Sequence, residues 1–447
     1  MSYEKISMPA ERELLPLFQS RTEELQERLK DVGIDILIIT NIDSIYYFSA
    51  YWGDLGLEFG RPTMLVVASN GDATLITPAS ESLMARAMTW VEDIGLYSDG
   101  VGEEWRDPLR KALGSAENNA RIAIERNDIP AVIANFLPTE FGLNDPIDAT
   151  PIISQMRIIK SAQELNMIRQ AGQVAIAMGI AGRDAMAVGV PEYEVTLACM
   201  VAGTRKAAEI IAAEDQDSLM SPVIHNLQAL QSGHFTSYTH LHPRVRKIRH
   251  GDPIYMCFCS ICHFKQFKLG YDREYFVGSV DDETARVYNT AIEAQAAAFR
   301  EMRPGVAAED VHKAADEVYQ GAGFAPSYRT GRALGYSSLE KPELKYGDRT
   351  PLESGMVFAV DGGITVPDVF GARVGDTVIV TDDGIEIVSL AIDAYEVVFD
   401  SGFDFRFDVS ASGRLTFIEH RLFDRPVTFP SSDTLQFTDV NIVQHWV

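Results

Sequence analysis

Four polar residues set in otherwise apolar or glycine-rich segments carry the chemistry this sequence can do. They are His240 in a histidine-rich loop, Glu274 in Gly-Tyr-Asp-Arg-Glu (270–274), Asp361 in Val-Phe-Ala-Val-Asp-Gly-Gly (357–363) and Arg61 in Phe-Gly-Arg-Pro (59–62). A histidine titrating near neutrality can take a proton from water and return it to a departing nitrogen. Carboxylates hold a delocalised cation through paired hydrogen bonds, and an arginine fork holds a carboxylate with the same geometry reversed. Such a set suits C–N cleavage in an amidine or guanidine that also bears a carboxylate. Asp272 lies two residues before Glu274, so on a strand both acids share one face and could line one pocket. Asp361 follows Val360 and precedes two glycines, a place where an unpaired carboxylate is costly to bury. Plainer readings stand beside these. His240 as a solvated loop residue, Glu274 or Asp272 paired with Arg273, and Arg373 paired with Asp376 or a neighbouring acid all fit the same letters.

Two other signals lead elsewhere. Cys259-Ser-Ile-Cys262-His263 has the letters of a c-type haem attachment site, but its apolar surroundings read as a strand and no export signal precedes it. His263 is retained as a candidate pocket residue on that strand. Neither a phosphate-binding Gly-x-x-x-x-Gly-Lys-Ser/Thr loop nor a Gly-x-Ser-x-Gly elbow occurs.

The elements that must position these residues are legible from periodicity. Residues 11–32 read as an amphipathic helix, 34–40 as a buried strand, and 63–68 with 73–77 as a hairpin about Asn70-Gly71. Ser161 and Glu164 form a capping box at the head of a long helix, and a second helix follows Pro191. The segment 222–243 reads as loop, 254–262 and 267–277 as strands, 283–302 and 308–321 as helices, and 356–361 and 376–381 as strands. The tail alternates aromatic, polar and acidic residues, the pattern of a β-rich extension.

With 39 basic and 64 acidic residues the formal charge is −25, which disfavours nucleic acid or an anionic membrane as partner. A stretch of ~20 apolar residues able to span a membrane is absent. Four cysteines in 447 residues do not make a disulfide scaffold, so a reducing cytoplasm is expected.

From about residue 20 to 390 these motifs resemble the pita-bread family of prolidases, methionine aminopeptidases and creatinases, most of all its metal-free creatinase branch. The resemblance rests on Met-Arg-Ile-Ile-Lys-Ser-Ala-Gln-Glu (156–164), Val-Pro-Glu-Tyr-Glu-Val (190–195), Phe-Gly-Arg-Pro (59–62) and the Gln-Ser-Gly (231–233) loop leading to His240. It implies an α/β (α+β) fold in a two-domain creatinase/prolidase architecture. An N-terminal domain would span 1–155, a pita-bread catalytic domain 156–393 and the extension 394–447. It also implies His240 as proton shuttle, and Glu274 and Asp361 as acids gripping a cationic guanidinium. Arg61, donated across a homodimer, would bind a substrate carboxylate beside Phe59. Where relatives carry metal ligands this chain has Ile261, Arg332 and Gly375, so no metal or other cofactor is expected. A second carboxylate-binding arginine of that branch is Ser338 here. Arg332 would either fill the old metal cavity or contact an anionic substrate group.

The resulting expectation is a metal-independent hydrolase acting on a C–N bond of a small zwitterionic guanidino or amidino compound. Its rivals are ring opening of a cyclic amidine such as ectoine, a lyase step, an Xaa-Pro-type metallopeptidase, and a binding protein without catalysis.

Overall fold

The computed structural model describes residues 9–389, apart from 54, 56–59, 99, 101, 115–119, 216–217, 225–228, 259–262 and 326, together with the backbone of four strands between 395 and 427. Phe59 and Ile261 lie outside the described residues, and for His263 only the backbone is described. The chain divides into two compact units, Met1–Arg157 with Ile211–Ser221, and Ile158–Ile210 with Pro222–Val447.

The first unit begins with helix α1 (Pro9–Asp31), followed by strand β1 (Ile36–Ile39) and helix α2 (Ile42–Ser49). Asn41 caps α2 by accepting from the Ser44 N–H (3.0 Å). Strands β2 (Met64–Ala68), β3 (Ala73–Pro78), β4 (Asp93–Tyr97), β5 (Ile122–Ile124) and β6 (Ile147–Asp148) complete a six-stranded mixed sheet in the order β4-β3-β2-β1-β5-β6. Ile36, Ile38, Met64, Val66 and Ile76 pack from the sheet against Trp105, Ile133 and Phe136. The β2–β3 turn is longer than the expected two residues. The Ala68 N–H reaches the Asp72 carbonyl (2.9 Å), leaving 69–71 in the turn with Gly71 at φ +113°.

The second unit opens with helix α3 (Ala162–Ala185), whose capping box closes as expected. The Ser161 N–H donates to Glu164 Oε2 (2.7 Å) and the Glu164 N–H to Ser161 Oγ (3.3 Å). Helix α4 (Glu192–Glu214) leads to β7 (Ala229–Ser232), a strand inside the segment expected to be loop. It pairs antiparallel with β8 (Pro253–Cys257). A small hairpin, β9 (His263–Phe264) and β10 (Phe267–Lys268), precedes β11 (Asp272–Phe276), which pairs with the other edge of β8. The expected continuous strand over 267–277 is therefore broken at Gly270. A Cβ there would lie 2.5 Å from Ala359 Cβ, and Thr377 Oγ1 binds both the N–H (2.9 Å) and the carbonyl (2.8 Å) of Gly270. The chain crosses to a second sheet at that point.

Helices α5 (Asp282–Glu301) and α6 (Ala308–Gly321) pack over a separate five-stranded sheet. It comprises β12 (Gly331–Ala333), β13 (Glu340–Leu344), β14 (Val357–Val360), β17 (Asp376–Val380) and β18 (Ile385–Ile387), in the order β13-β12-β14-β17-β18. Between β14 and β17 runs the hairpin β15 (Gly363–Val366) and β16 (Phe370–Arg373). An antiparallel bridge between Asp272 and Gly375 joins the two larger sheets (2.9 and 3.1 Å). Beyond residue 389, β19 (Tyr395–Val398), β20 (Phe403–Val409), β21 (Leu415–Leu422) and β22 (Arg425–Val427) form an antiparallel meander.

Candidate active site

The loop that carries His240 is built by the Gln231-Ser-Gly233 motif. Gln231 points its Nε2 across the loop to the Leu241 carbonyl (2.6 Å). Ser232 donates its N–H (3.0 Å) and hydroxyl (2.6 Å) to the fully buried Glu192. That carboxylate also takes the Arg244 N–H (2.9 Å), Nε (3.0 Å) and Nη2 (2.8 Å), so one acid ties both ends of the loop. Gly233 sits at φ +68° with Arg246 Nη2 only 2.8 Å from where a Cβ would stand, so no side chain is accommodated there. His240 itself is exposed. Its neighbours are both held, Leu241 by Gln231 and Thr239 by Arg373 Nη2 (3.0 Å). His240 is therefore flanked by two anchored residues, one held at its carbonyl and one at its hydroxyl, while His240 itself stays exposed.

Strand alternation puts Asp272 and Glu274 on one face of β11 and Arg273 on the other. Arg273 is structural. It donates to the Asp272 and Gly375 carbonyls (2.8 Å each) and to Asp376 Oδ1 (2.7 Å). This corrects the expectation that Arg373 pairs with Asp376. Arg373 instead sends Nη2 to the hydroxyls of Thr239 (3.0 Å) and Thr365 (2.7 Å), and its Nη1 is buried without a partner.

Glu274 is fully buried. Its Oε2 accepts the Arg373 N–H (3.0 Å), while Oε1 has no partner. Burial holds this carboxyl well above the usual carboxylate range, although the Arg373 amide and charge pull the other way. Asp272 is buried too, and its carboxylate lies beside the backbone of residue 375. A Cβ at Gly375 would meet Asp272 Oδ2 at 2.7 Å.

Asp361 follows β14, with its N–H on the Thr330 carbonyl (3.0 Å). Its carboxylate forms an ion pair with Arg332 Nη1, and Arg332 Nε donates to the Ser338 carbonyl (2.8 Å). Arg332 thus engages an acid of its own chain. Asp361 was expected to face a substrate cation, and here it holds an internal one. Tyr319, which sequence reasoning missed, places its hydroxyl 2.8 Å from where a Cβ at Gly362 would stand. Burial raises its hydroxyl, with the Arg373 charge opposing and that of Asp361 adding. Its only sequence signal is an aromatic residue in the last turn of an amphipathic helix.

Arg61 lies just before β2, half-buried, with its N–H on the Leu55 carbonyl (3.2 Å). Cys199 and Cys257 are buried.

The donor set does not fit a pair of divalent cations. Gly375 supplies no side chain and the Arg332 guanidinium sits against Asp361. Among the described residues no three or more His, Cys, Asp or Glu side chains are arranged to hold a metal ion, and no helix is long and apolar enough to cross a membrane.

Comparison with known proteins gives two sequence matches that cover most of the described chain. Residues 166–382 match "Metallopeptidase family M24", and residues 21–159 match "Creatinase/Prolidase N-terminal domain". The agropine synthesis cyclase of Rhizobium rhizogenes is 31% identical over 386 residues, covering 83% of this chain and 96% of that protein. A probable dipeptidase, PepE, of Mycobacterium tuberculosis is 30% identical over 359 residues, covering 79% and 89%. Among solved structures, the dipeptidase PepE from Mycobacterium ulcerans superposes with a TM-score of 0.69 at 26% identity, covering 84% of this chain and 96% of that one. The prolidase from Pyrococcus horikoshii OT3 gives 0.70 at 22% identity, covering 83% and 98%, a likeness of fold.

Proposed function

This chain belongs to the M24 family in its two-domain creatinase–prolidase form, and we propose that it is a metal-independent member: a hydrolase that cleaves a C–N bond of a small zwitterionic amidine or guanidine. The observation that carries this reading is the ion pair of Arg332 with Asp361. A fixed guanidinium beside that acid opposes a divalent cation by direct charge repulsion and removes the acid from the donor set.

In this reading His240 takes a proton from the attacking water and returns it to the departing nitrogen. Its exposed position between two anchored residues suits a shuttle that must reach both water and substrate. Glu274, kept neutral by burial, gives up its proton when the substrate cation arrives, and the resulting carboxylate holds that cation. Asp272 would lie on the same face of β11, and the Arg332–Asp361 pair would fix the polar wall opposite developing charge at the tetrahedral carbon. Arg61, supplied by a second copy of the chain, would help to anchor the substrate carboxylate.

One observation favours a second reading, the opening or closing of a ring in a cyclic amidine. A relative 31% identical along nearly its whole length is named a cyclase. Ring opening and linear hydrolysis share a tetrahedral carbon, and they differ in whether one product or two leave. Mass spectrometry of a panel of linear and cyclic amidino acids therefore separates them. We expect turnover that survives chelator treatment, and a loss of at least ~100-fold in His240→Ala with an unchanged melting curve. Chelator-sensitive activity restored by Mn²⁺ or Zn²⁺ would overturn the metal-independent reading, and full activity in His240→Ala would overturn the shuttle.

A further inference from the structure

Three arginines lie in or beside the candidate site, and two of them are neutralised from within. Arg273 has Asp376 and Arg332 has Asp361. Arg373 is different. It is only 9% exposed, yet among the described residues no carboxylate stands within ion-pair distance of its guanidinium. Its Nη2 is shared between two threonine hydroxyls, and Nη1 has no partner. A buried cation whose hydrogen bonds all go to neutral oxygens, with the Tyr255 ring 5.7 Å away as its other contact, is costly unless an anion completes it.

The chain around Arg373 keeps room for its side chain. A Cβ at Gly371 would come within 2.5 Å of Arg373 Nη1, and one at Gly363 within 2.8 Å of Arg373 Cγ. The two threonines that receive Nη2 are both exposed, and Thr239 is the residue immediately before His240. The guanidinium thus lies under a surface that opens beside the shuttle histidine. On the other side, the Arg373 main-chain N–H binds Glu274 Oε2, and Glu274 Oε1 is the second buried polar atom here without a partner. A guanidinium nitrogen and a carboxyl oxygen without hydrogen-bond partners therefore belong to two residues joined by a hydrogen bond, with opposite demands.

We propose that Arg373 is the anion-binding residue of this site, contributed in cis. It would take a carboxylate of the ligand on its terminal nitrogens while Glu274 faces the ligand's cationic end. The proposal rests on the zwitterion reading above, and it deepens that reading. The ligand must carry its two charges close enough for one molecule to meet both Arg373 and Glu274, as in a short amidino or guanidino acid. It also assigns a residue to the anchoring duty that Ser338 cannot perform, since a serine carries no charge to pair with a carboxylate. Arg373 acts as a specificity determinant and takes no part in bond breaking.

The test is a ratio. Binding of guanidino and amidino acids, of their methyl esters, and of plain dicarboxylates such as succinate is measured by calorimetry on the full-length protein and on Arg373→Lys, Arg373→Met and, as a control at an exposed arginine outside the site, Arg286→Met. The native protein should prefer each acid to its ester by on the order of 10- to 100-fold, the range for hydrogen bonds to a charged group. In Arg373→Met that preference should fall to about one with ester affinity retained. Arg373→Lys should keep part of it, and Arg286→Met should keep it in full. A preference unchanged in Arg373→Met overturns the proposal, as does an equal loss of acid and ester binding. Should Arg373→Met not fold, an unaltered preference in Arg373→Lys is the overturning result. Plain carboxylates that bind through Arg373 while no amidine binds at all would sustain the anion site and overturn the zwitterion reading.

Discussion

Arg273 and Arg373 are both buried guanidiniums of the catalytic-type domain, and their surroundings are opposite. Arg273 stacks on Tyr271 (4.2 Å) and places both terminal nitrogens on strong acceptors, leaving only Nε without a partner. Its partner Asp376 is completed by Ser389 Oγ (2.7 Å) and Gln295 Nε2 (3.2 Å). Arg373 has two neutral hydroxyls, a more distant ring in Tyr255 (5.7 Å) and a terminal nitrogen without a hydrogen-bond partner. A charge whose partners are complete is architecture, because any change leaves another charge stranded. An incompletely satisfied charge is poised for a ligand, because the protein already carries the cost of holding it.

The widest separation between the two should appear in stability. Arg273→Met leaves Asp376 buried and unpaired, so it should destabilise by about 3–5 kcal/mol in urea unfolding. Arg373→Met loses only hydrogen bonds to threonines and should cost no more than about 1–2 kcal/mol. If the two values were reversed, the division into architecture and ligand site would be wrong.

The next largest effect extends the comparison to half-satisfied carboxyls. Glu125 in the N-terminal unit accepts Ser44 Oγ (2.7 Å) on one oxygen while the other has no partner, and burial pushes it up to about 7. The folded state then holds this proton more tightly than the unfolded chain. Stability is greatest below the unfolded value of roughly 4.3 and is lost as pH rises toward 7. Glu125→Gln should remove about 3 kcal/mol of that decline between pH 4 and pH 8, measured as unfolding free energy against pH. Glu274 has the same sign, and Glu274→Gln should flatten its share of the loss. A pH profile identical in the native protein and both variants would refute the idea that these acids are buried neutral.

The smallest effect is the most diagnostic of the site. A cation bound against Glu274 should expel up to about one proton, seen by calorimetry in buffers of different ionisation enthalpy, and Glu274→Gln should expel none. Proton release undiminished in that variant would move the cation to another acid.

Much of the fold was legible because each signal was local. The Ser161–Glu164 box, the periodic helices and the alternation that places Asp272 with Glu274 all act within a few residues. The pairing of charges was not legible, for a geometric reason. Asp376 is three residues from Arg373 in sequence, but neighbours three apart on extended chain point to opposite faces. Asp376 instead meets Arg273, which the Asp272–Gly375 bridge brings alongside. Likewise Arg332 meets Asp361 only because β12 pairs with β14 in the register Arg332↔Ala359, two residues from Asp361 and so on its face. The short strand β7 was missed because Ala-Leu-Gln-Ser carries neither β-branched residues nor clear alternation.

Gly375 leaves this arrangement closed to an added ligand. The Asp272 carboxylate occupies ground next to residue 375 that any side chain there would need, with its Oδ2, Cβ and Cγ all within 3.0 Å of the place for a Cβ. An acid placed at 375 would therefore collide with a neighbour before it could meet a cation, and Arg332 would still hold Asp361. Recruiting a cation here thus takes more than one substitution, because the room a new ligand needs is already filled by a side chain the site keeps.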